Sequence, residues 1–344
     1  MRLLQAMAGA PAGGAETFFT RLALGLRERN VEQRIVLRSN SRRVAMLESA
    51  GIDVVTAPFG GAFDRATRRV IRRAIEDFAP TVVLTWMNRA TAHCPHATAS
   101  RRFVHIGTPR GYYDPKYYRH CDHLIVTTQD LMQFYVRSGW AADRVSVIPN
   151  FAPEARATSV SRAALDTPDD APLLLALGRL HRNKGFDVLI GALARLPEHY
   201  LWLGGDGPLA DELRDLAKAR GVSQRVRFLG WRDDTAALFA AADIFVCPSR
   251  HEPFGNIVIE AWMQGVPIVA AASEGPGTLI EDGKSGILVP LEDEKAMADA
   301  LAALARDRAL AERLAEAGRQ TYEAGYTPEV VVPRYIALFE RLAG

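Results

Sequence analysis

Cysteine is scarce: Cys94, Cys121 and Cys247 are the only three in 344 residues, and no CxxC or zinc-type spacing occurs. That usage argues against a disulfide framework and favours a reducing compartment. Long apolar runs are missing too. No stretch reaches the ~18 uninterrupted apolar residues that suggest a membrane span, so no transmembrane helix is expected. The amino terminus carries Arg2 and then a strand-like run, without the layout of a signal peptide and its cleavage site. Gly9, Gly13 and Gly14 do not spell GxGxxG, which counts against a dinucleotide oxidoreductase. No short repeat or low-complexity tract is evident.

What is present is ordinary globular composition, with 48% hydrophobic and 24% charged residues. The length suits two domains of roughly 100–200 residues each, whose cores need no disulfide or metal staple. The net charge of +2 hides an asymmetry: residues 1–150 carry +9 and residues 151–344 carry −7. The first half is therefore expected to face something anionic.

Short apolar runs at 2–7, 34–38, 53–56, 81–85, 103–106, 123–127 and 145–148 alternate with helical patterns, the first of them Glu16–Glu28 after a small-residue loop, Ala8–Gly14. A Pro- and Ala-rich stretch from Phe151 to Pro172 reads as a linker. The alternation restarts at Leu173–Leu177 and continues through Tyr200–Leu203, Val226–Leu229, Ile244–Cys247, Ile268–Ala270 and Gly286–Val289. Alternating strands and helices predict parallel, doubly wound sheets.

Chemistry concentrates in the second half. Asp243–Ser249 reads as a buried strand ending at a proline turn, followed by Glu252-Pro253-Phe254-Gly255-Asn256 and an apolar helix that stops at Gly265. Glu252 falls in the loop at the strand's carboxyl end, and Glu260 is expected about two turns further on. Open α/β sheets bind ligands at such loops, and helix N-termini favour phosphate or sugar oxygens. A charge at Glu260 amid Ile257–Ile259 and Ala261–Met263 needs a partner. Earlier, Gly178, Arg179 and Lys184 follow a strand, and two cations at such a turn suit a diphosphate.

The eight-residue spacing of Glu252 and Glu260 resembles the two-glutamate motif of retaining GT-B glycosyltransferases, especially the family 4 type. Gly178-Arg179-Leu180 with Lys184-Gly185 resembles that family's donor-phosphate loop. Gly204–Leu209, Gly265–Ala270, Ile148-Pro149-Asn150 and Gly13-Gly14-Ala15-Glu16 resemble other family segments, all in family order. The resemblance covers most of the chain. It implies an α/β fold of GT-B architecture, with two Rossmann-like doubly wound domains facing across a cleft. Residues 1–152 would form the acceptor-side domain, with a final helix at about 326–344 packing back on it, and 153–325 the nucleotide-sugar domain.

The same resemblance implies roles. Arg179 and Lys184 would hold the donor diphosphate and offset charge on the leaving group. Glu252 would meet the donor sugar's hydroxyls, with the backbone of Phe254, Gly255 and Asn256 around sugar and phosphate, and Glu260 would accept from the ribose. Gly13 and Gly14 would lie near the donor phosphates. Many members carry a His-Gly pair where this chain has His105-Ile106-Gly107, so His105 is a catalytic candidate and also a core candidate. Arg110 and Gly111 are candidates for sugar- or acceptor-facing work. Tyr112, Tyr113, Tyr117 and Tyr118 suit either a saccharide face or ordinary packing. His251 suits either donor contact or solvent. His93-Cys94-Pro95-His96 looks like a metal pair but lacks further ligands.

Arg65, Arg68, Arg69, Arg72 and Arg73 fall on one helix face, with Ala66, Val70, Ala74 and Phe78 broadly opposite. Such a helix suits an anionic membrane surface, or simply solvent. The expected function is therefore retaining transfer of a hexose from a UDP-, GDP- or ADP-sugar to a saccharide or glycolipid acceptor, in lipopolysaccharide or other surface-glycan synthesis. No metal cofactor and no nucleic-acid partner are expected. The expected location is cytoplasmic and peripheral to the membrane. Two other readings stay open: a nucleotide-sugar epimerase of related fold, and a non-catalytic nucleotide-sugar-binding scaffold.

Overall fold

The computed structural model describes residues 1–10, 13–61, 63–98, 102–154 and 157–344. Pro11 and Ala12 of the first small-residue loop, and Ala155 and Arg156 of the expected linker, lie outside the described residues. The chain divides into two compact units, Met1–Phe151 with Pro328–Gly344, and Ala152–Thr327.

The first unit begins with β1 (Arg2–Met7), α1 (Gly14–Glu28), β2 (Glu32–Arg38), α2 (Ser41–Ser49), β3 (Asp53–Ala57) and α3 (Arg65–Phe78). It continues with β4 (Val82–Trp86), α4 (Met87–His93), β5 (Val104–Thr108), β6 (His123–Val126), α5 (Gln129–Arg137) and β7 (Val145–Val147). All strands pair in parallel in the order β3-β2-β1-β4-β5-β6-β7. Strand order reverses between β1 and β4, the point where open sheets leave a crevice at their carboxyl ends.

The period-2 alternation of a strand sorts side chains to two faces. Leu3, Met7, Leu84 and Trp86 join one buried cluster with α1, while Leu4, Ala6 and Val83 join another with α3. One buried polar chain crosses this core and is satisfied throughout. Trp86 Nε1 donates to Gln5 Oε1 (3.0 Å), Gln5 Nε2 to Gln33 Oε1 (2.7 Å), and Gln33 Nε2 to the Ala23 carbonyl (2.9 Å).

The second unit repeats the plan with β8 (Leu173–Leu177), α6 (Phe186–Leu193), β9 (Tyr200–Gly204), α7 (Ala210–Ala219), β10 (Val226–Gly230), α8 (Thr235–Ala241) and β11 (Ile244–Cys247). Then follow α9 (Asn256–Met263), β12 (Ile268–Ala271), α10 (Glu274–Leu279), β13 (Ile287–Val289), α11 (Glu294–Arg306) and α12 (Arg308–Gly325). The sheet is again parallel, ordered β10-β9-β8-β11-β12-β13, with its reversal between β8 and β11. Leu174, Ala176 and Val246 face one core cluster, and Leu173, Leu175 and Phe245 the other.

The stretch read as a linker is not free chain. Ala152 N donates to the Tyr326 carbonyl (3.2 Å), Tyr322 Oη to the Ala152 carbonyl (2.8 Å), and Trp202 Nε1 to Thr167 Oγ1 (2.9 Å). Its polar residues serve as hydrogen-bond partners for the second unit, which composition alone does not reveal. The last helix, α13 (Pro328–Ala343), belongs to the first unit and packs on α1, where a Cβ at Gly25 would lie 3.0 Å from Val332.

Candidate active site

In the second unit, the loops after β8 and β11 meet at the reversal point. The approach is backbone to backbone: Arg250 N and His251 N both donate to the Asn183 carbonyl, at 2.8 and 3.2 Å. Gly185 makes this contact feasible. Its φ is +65°, and a Cβ there would sit 2.1 Å from the Pro248 carbonyl oxygen. The result is an ion pair between Lys184 Nζ and Glu252 Oε2, residues 68 positions apart in sequence. Both side chains are partly covered, at 26% and 15% exposure. Burial opposes the charge on Lys184, but Glu252 outweighs it and the ammonium pKa is raised. Lys184 is therefore a cation across the neutral range.

Around this pair the loops are braced. Arg250 grips Asp187 through both guanidinium ends (2.7 and 2.6 Å) and donates Nε to Glu292 Oε1 (2.6 Å). Burial opposes the Asp187 carboxylate, yet the Arg250 bonds hold its pKa below the usual range. Glu274 Oε1 lies 2.7 Å from His251 Nδ1, and its Oε2 accepts from Glu252 N (3.2 Å). The Glu252 carbonyl in turn accepts from Gly275 N (2.7 Å). Sequence reasoning missed Asp187, Glu274 and Glu292, because their partners are distant in the chain.

Arg179 is exposed and has no hydrogen-bonding or ionic partner among the described residues. Gly178 N donates to the Gly204 carbonyl (3.0 Å), and Leu180 N to the Asp206 carbonyl (2.9 Å), which ties the β8 loop to the β9 loop. Gly185 and Gly255 are the N-cap residues of helices α6 and α9, and neither helix has a side-chain cap. Helix starts lacking such caps leave N–H groups for an anion. Phe254 is buried, so its ring packs in the core rather than facing a ligand. Because α9 begins only at Asn256, Glu260 lies one turn into the helix rather than two, on the face of Asn256. Half-buried Glu260 and Lys184–Glu252 thus flank two helix starts, an arrangement able to hold phosphates and accept from hydroxyls together.

In the first unit, Gly13 caps α1 and Glu16 is buried beneath it. Glu16 Oε1 accepts from Ala10 N (2.7 Å), and a Cβ at Gly13 would come 2.4 Å from Oε2. Gly13 thus leaves the room that the Glu16 carboxylate occupies. The Glu16 role went unassigned in the sequence, although a glutamate three residues after an N-cap is a recognisable signal.

Several candidates move out of the site. His105 is 3% exposed, with Nε2 2.9 Å from Thr85 Oγ1 and its backbone N donating to Asp122 Oδ2 (2.8 Å). It points into the sheet core, as strand alternation requires, and cannot touch a substrate there. Burial pushes its pKa down to about 4 against the pull of Asp122. The unfolded imidazole titrates near 6.5, so the unfolded chain binds more protons between the two values. Stability should therefore fall as pH drops from about 6.5 to 4, by about 3 kcal/mol from this group. Urea unfolding at each pH of the native chain and a His105→Asn variant checks this: the variant's stability should depend less on pH in that window.

The Arg110 guanidinium is occupied, lying 4.6 Å from the Phe18 ring and 4.4 Å from Trp86. It also donates to Asn150 Oδ1 (2.7 Å) and Tyr335 Oη (3.3 Å), fastening α13 to this unit. Gly111 is buried, and its carbonyl accepts from Tyr135 Oη (3.1 Å). Tyr118 is fully buried against Tyr135, and Tyr112 Oη donates to Asp130, so these two tyrosines are packing residues. On α3 the buried side is Thr67, Ile71, Ala74, Ile75 and Phe78, whereas Ala66 is exposed. Arg65, Arg68, Arg69, Arg72 and Arg73 are all exposed. No group of three or more His, Cys, Asp or Glu suited to a metal occurs among the described residues. No described helix is long and apolar enough to cross a membrane.

Each unit thus carries its own parallel Rossmann-like sheet, and in the second unit cations and carboxylates gather at the strand-order reversal. Residues 158–321 match the family described as glycosyl transferases group 1, and residues 12–156 match glycosyltransferase family 4. The chain belongs to this group 1/family 4 class and is a glycosyltransferase of GT-B fold.

Among its relatives is the lipopolysaccharide core biosynthesis glycosyltransferase LpsE of Rhizobium meliloti (strain 1021). It is 36% identical over 339 residues, covering 95% of each chain. LpsD of the same organism is 34% identical over 336 residues, covering 96% of this chain and 95% of LpsD. The fold is also that of Anabaena HepE, solved in complex with UDP-glucose, with a TM-score of 0.85 and 21% identity over 99% of this chain and 100% of that one.

Proposed function

We propose that this glycosyltransferase moves a hexose from a nucleotide sugar to a saccharide of the lipopolysaccharide core or a related surface glycan, with retention of anomeric configuration. The observation that carries the donor reading is the meeting of Lys184 and Glu252 beside two helix starts without side-chain caps. Arg179 and Lys184 neutralise the diphosphate as the sugar bond breaks, a role for which fixed positive charge is effective. Glu252 accepts from sugar hydroxyls and Glu260 from the ribose. Gly13 and Gly14 leave room near the phosphates. No metal takes part, so turnover persists in EDTA. The leaving diphosphate receives the acceptor's proton on the sugar face it departs from; inversion in product NMR would contradict this step.

The lipopolysaccharide reading draws support from the near full-length similarity to LpsE and LpsD. The excess positive charge of residues 1–150 fits an acceptor at an anionic cytoplasmic membrane face, reached through Arg65, Arg68, Arg69, Arg72 and Arg73. The apolar side of α3 is committed to the core, so attachment is electrostatic, aided by Phe63 at 96% exposure. Flotation with anionic vesicles that persists at high salt would contradict that mode.

The donor test is a thermal-shift panel of UDP-, GDP- and ADP-sugars, headed by UDP-glucose, the ligand of HepE. A ligand that binds only the folded state stabilises it by about 2.7 kcal/mol at 100 times its Kd. One nucleotide sugar should raise Tm in the native protein and fail to do so in Lys184→Ala. A panel with no shift in well-folded protein refutes the donor reading.

A further inference from the structure

A sizeable cavity lies away from the donor loops. It occupies about 640 Å³ within the first unit, between α3, α4 and the 109–122 connection. That is within the range of ~300–1,000 Å³ usual for small-molecule sites and well beyond the needs of a bare phosphate. Among the described residues four cations line it, Arg68, Arg72, Lys116 and Arg119, and no carboxylate does. Arg68 and Arg72 stand one turn apart on α3, exposed and without ionic partners among the described residues. Lys116 pairs with Asp114 at 2.6 Å, outside the lining. Arg119 Nε donates to His120 Nε2 (2.9 Å), which leaves its terminal N–H groups for an anion.

A second feature separates this cavity from a merely basic surface. His93, also in the lining, is 4% exposed, and its Nδ1 has no hydrogen-bond partner. Burial and the nearby Arg68 and Arg89 depress its pKa, against the pull of Asp64. A neutral imidazole has one nitrogen that donates and one that accepts, and a hydroxyl can partner either. A buried polar atom left unpaired is costly and calls for a partner.

We propose that this cavity is a second ligand site, binding a phosphorylated saccharide with its phosphate on Arg68, Arg72, Lys116 and Arg119 and a sugar hydroxyl on His93. None of the donor-loop residues lines it. The assignment of a saccharide rests on the glycosyltransferase reading; the anion site does not.

Isothermal titration of the full chain with glucose 6-phosphate, inorganic phosphate and glucose tests it at low ionic strength. Glucose 6-phosphate should bind saturably at one site and more tightly than inorganic phosphate. Glucose should give no saturable heat. An Arg68→Gln/Arg72→Gln double variant, altered only at exposed positions, should bind at least tenfold more weakly. An Arg119→Gln variant should weaken binding too. Lys184→Ala should leave it unchanged, so failure of the donor reading cannot be mistaken for failure here.

Absence of saturable binding up to about 10 mM, which spans the affinities near 1 mM expected of weak sites, would overturn the proposal. Equal affinity for glucose 6-phosphate and inorganic phosphate would overturn the saccharide assignment. Phosphatidylglycerol vesicles form the other arm. If they bind through Arg68 and Arg72 while glucose 6-phosphate neither binds nor competes, the arginines serve a lipid headgroup and the cavity assignment is wrong.

Discussion

Lys184→Ala should lower kcat/KM by about 10²–10³-fold, the loss typical when one preorganised charge-stabilising donor is removed. Lys184 is held by Glu252 at the strand-order reversal, partly covered, with its pKa raised. It is thus a fixed cation where a diphosphate would gain negative charge, and its effect is larger there than in open water. A structural explanation competes, in which the lysine serves only to neutralise Glu252, whose side chain is 15% exposed. Adding Glu252→Gln separates the two. If neutralisation is the only role, the double variant matches Glu252→Gln alone in activity. If the diphosphate is the target, the double variant stays far below Glu252→Gln alone, and Tm recovers without turnover. Near-native activity in Lys184→Ala itself would remove the residue from catalysis.

Gly185→Val should severely damage the second unit's binding loops. The position has φ +65°, which a β-branched residue adopts only with strain, and the first added carbon would meet the Pro248 carbonyl at 2.1 Å. Strain of this kind costs about 1–3 kcal/mol before the overlap is counted. The overlap can be relieved only by parting the loops, which also breaks the Arg250 and His251 bonds to Asn183 and separates Lys184 from Glu252. Urea unfolding should show the loss of stability, and nucleotide-sugar binding should disappear even at temperatures where the chain remains folded. A variant that keeps both stability and binding would show that the loop contact is dispensable.

His105 and Arg110 mark where reading the sequence fell short. Both stand beside a strand end and look available for chemistry. Whether a strand residue faces core or ligand turns on register and on how far the strand runs. Here β5 extends through Thr108, which puts His105 inside the sheet. The ring pair that holds Arg110, Phe18 and Trp86, comes from α1 and β4, and Tyr335 comes from the far end of the chain. No local pattern shows such a cage. The arginine face of α3 was legible because helical periodicity is local, but the exact buried side was shifted toward Ile71 and Ile75.

The sequence by itself determined the strands and helices, their parallel arrangement and the loops that carry the cations and carboxylates. These follow from patterns a few residues long: apolar runs, glycine turns and helix stops. Only the tertiary structure decided that Lys184 reaches Glu252, that Arg250 clamps Asp187 and Glu292, that Glu274 steadies His251, and that Arg68, Arg72, Lys116 and Arg119 surround one cavity with His93. Each of these joins residues far apart in sequence, and strand order sets their meeting. Parallel sheets place the carboxyl ends of sequence-distant strands side by side, so the chemistry of β8 and β11 becomes one site only when the sheet forms.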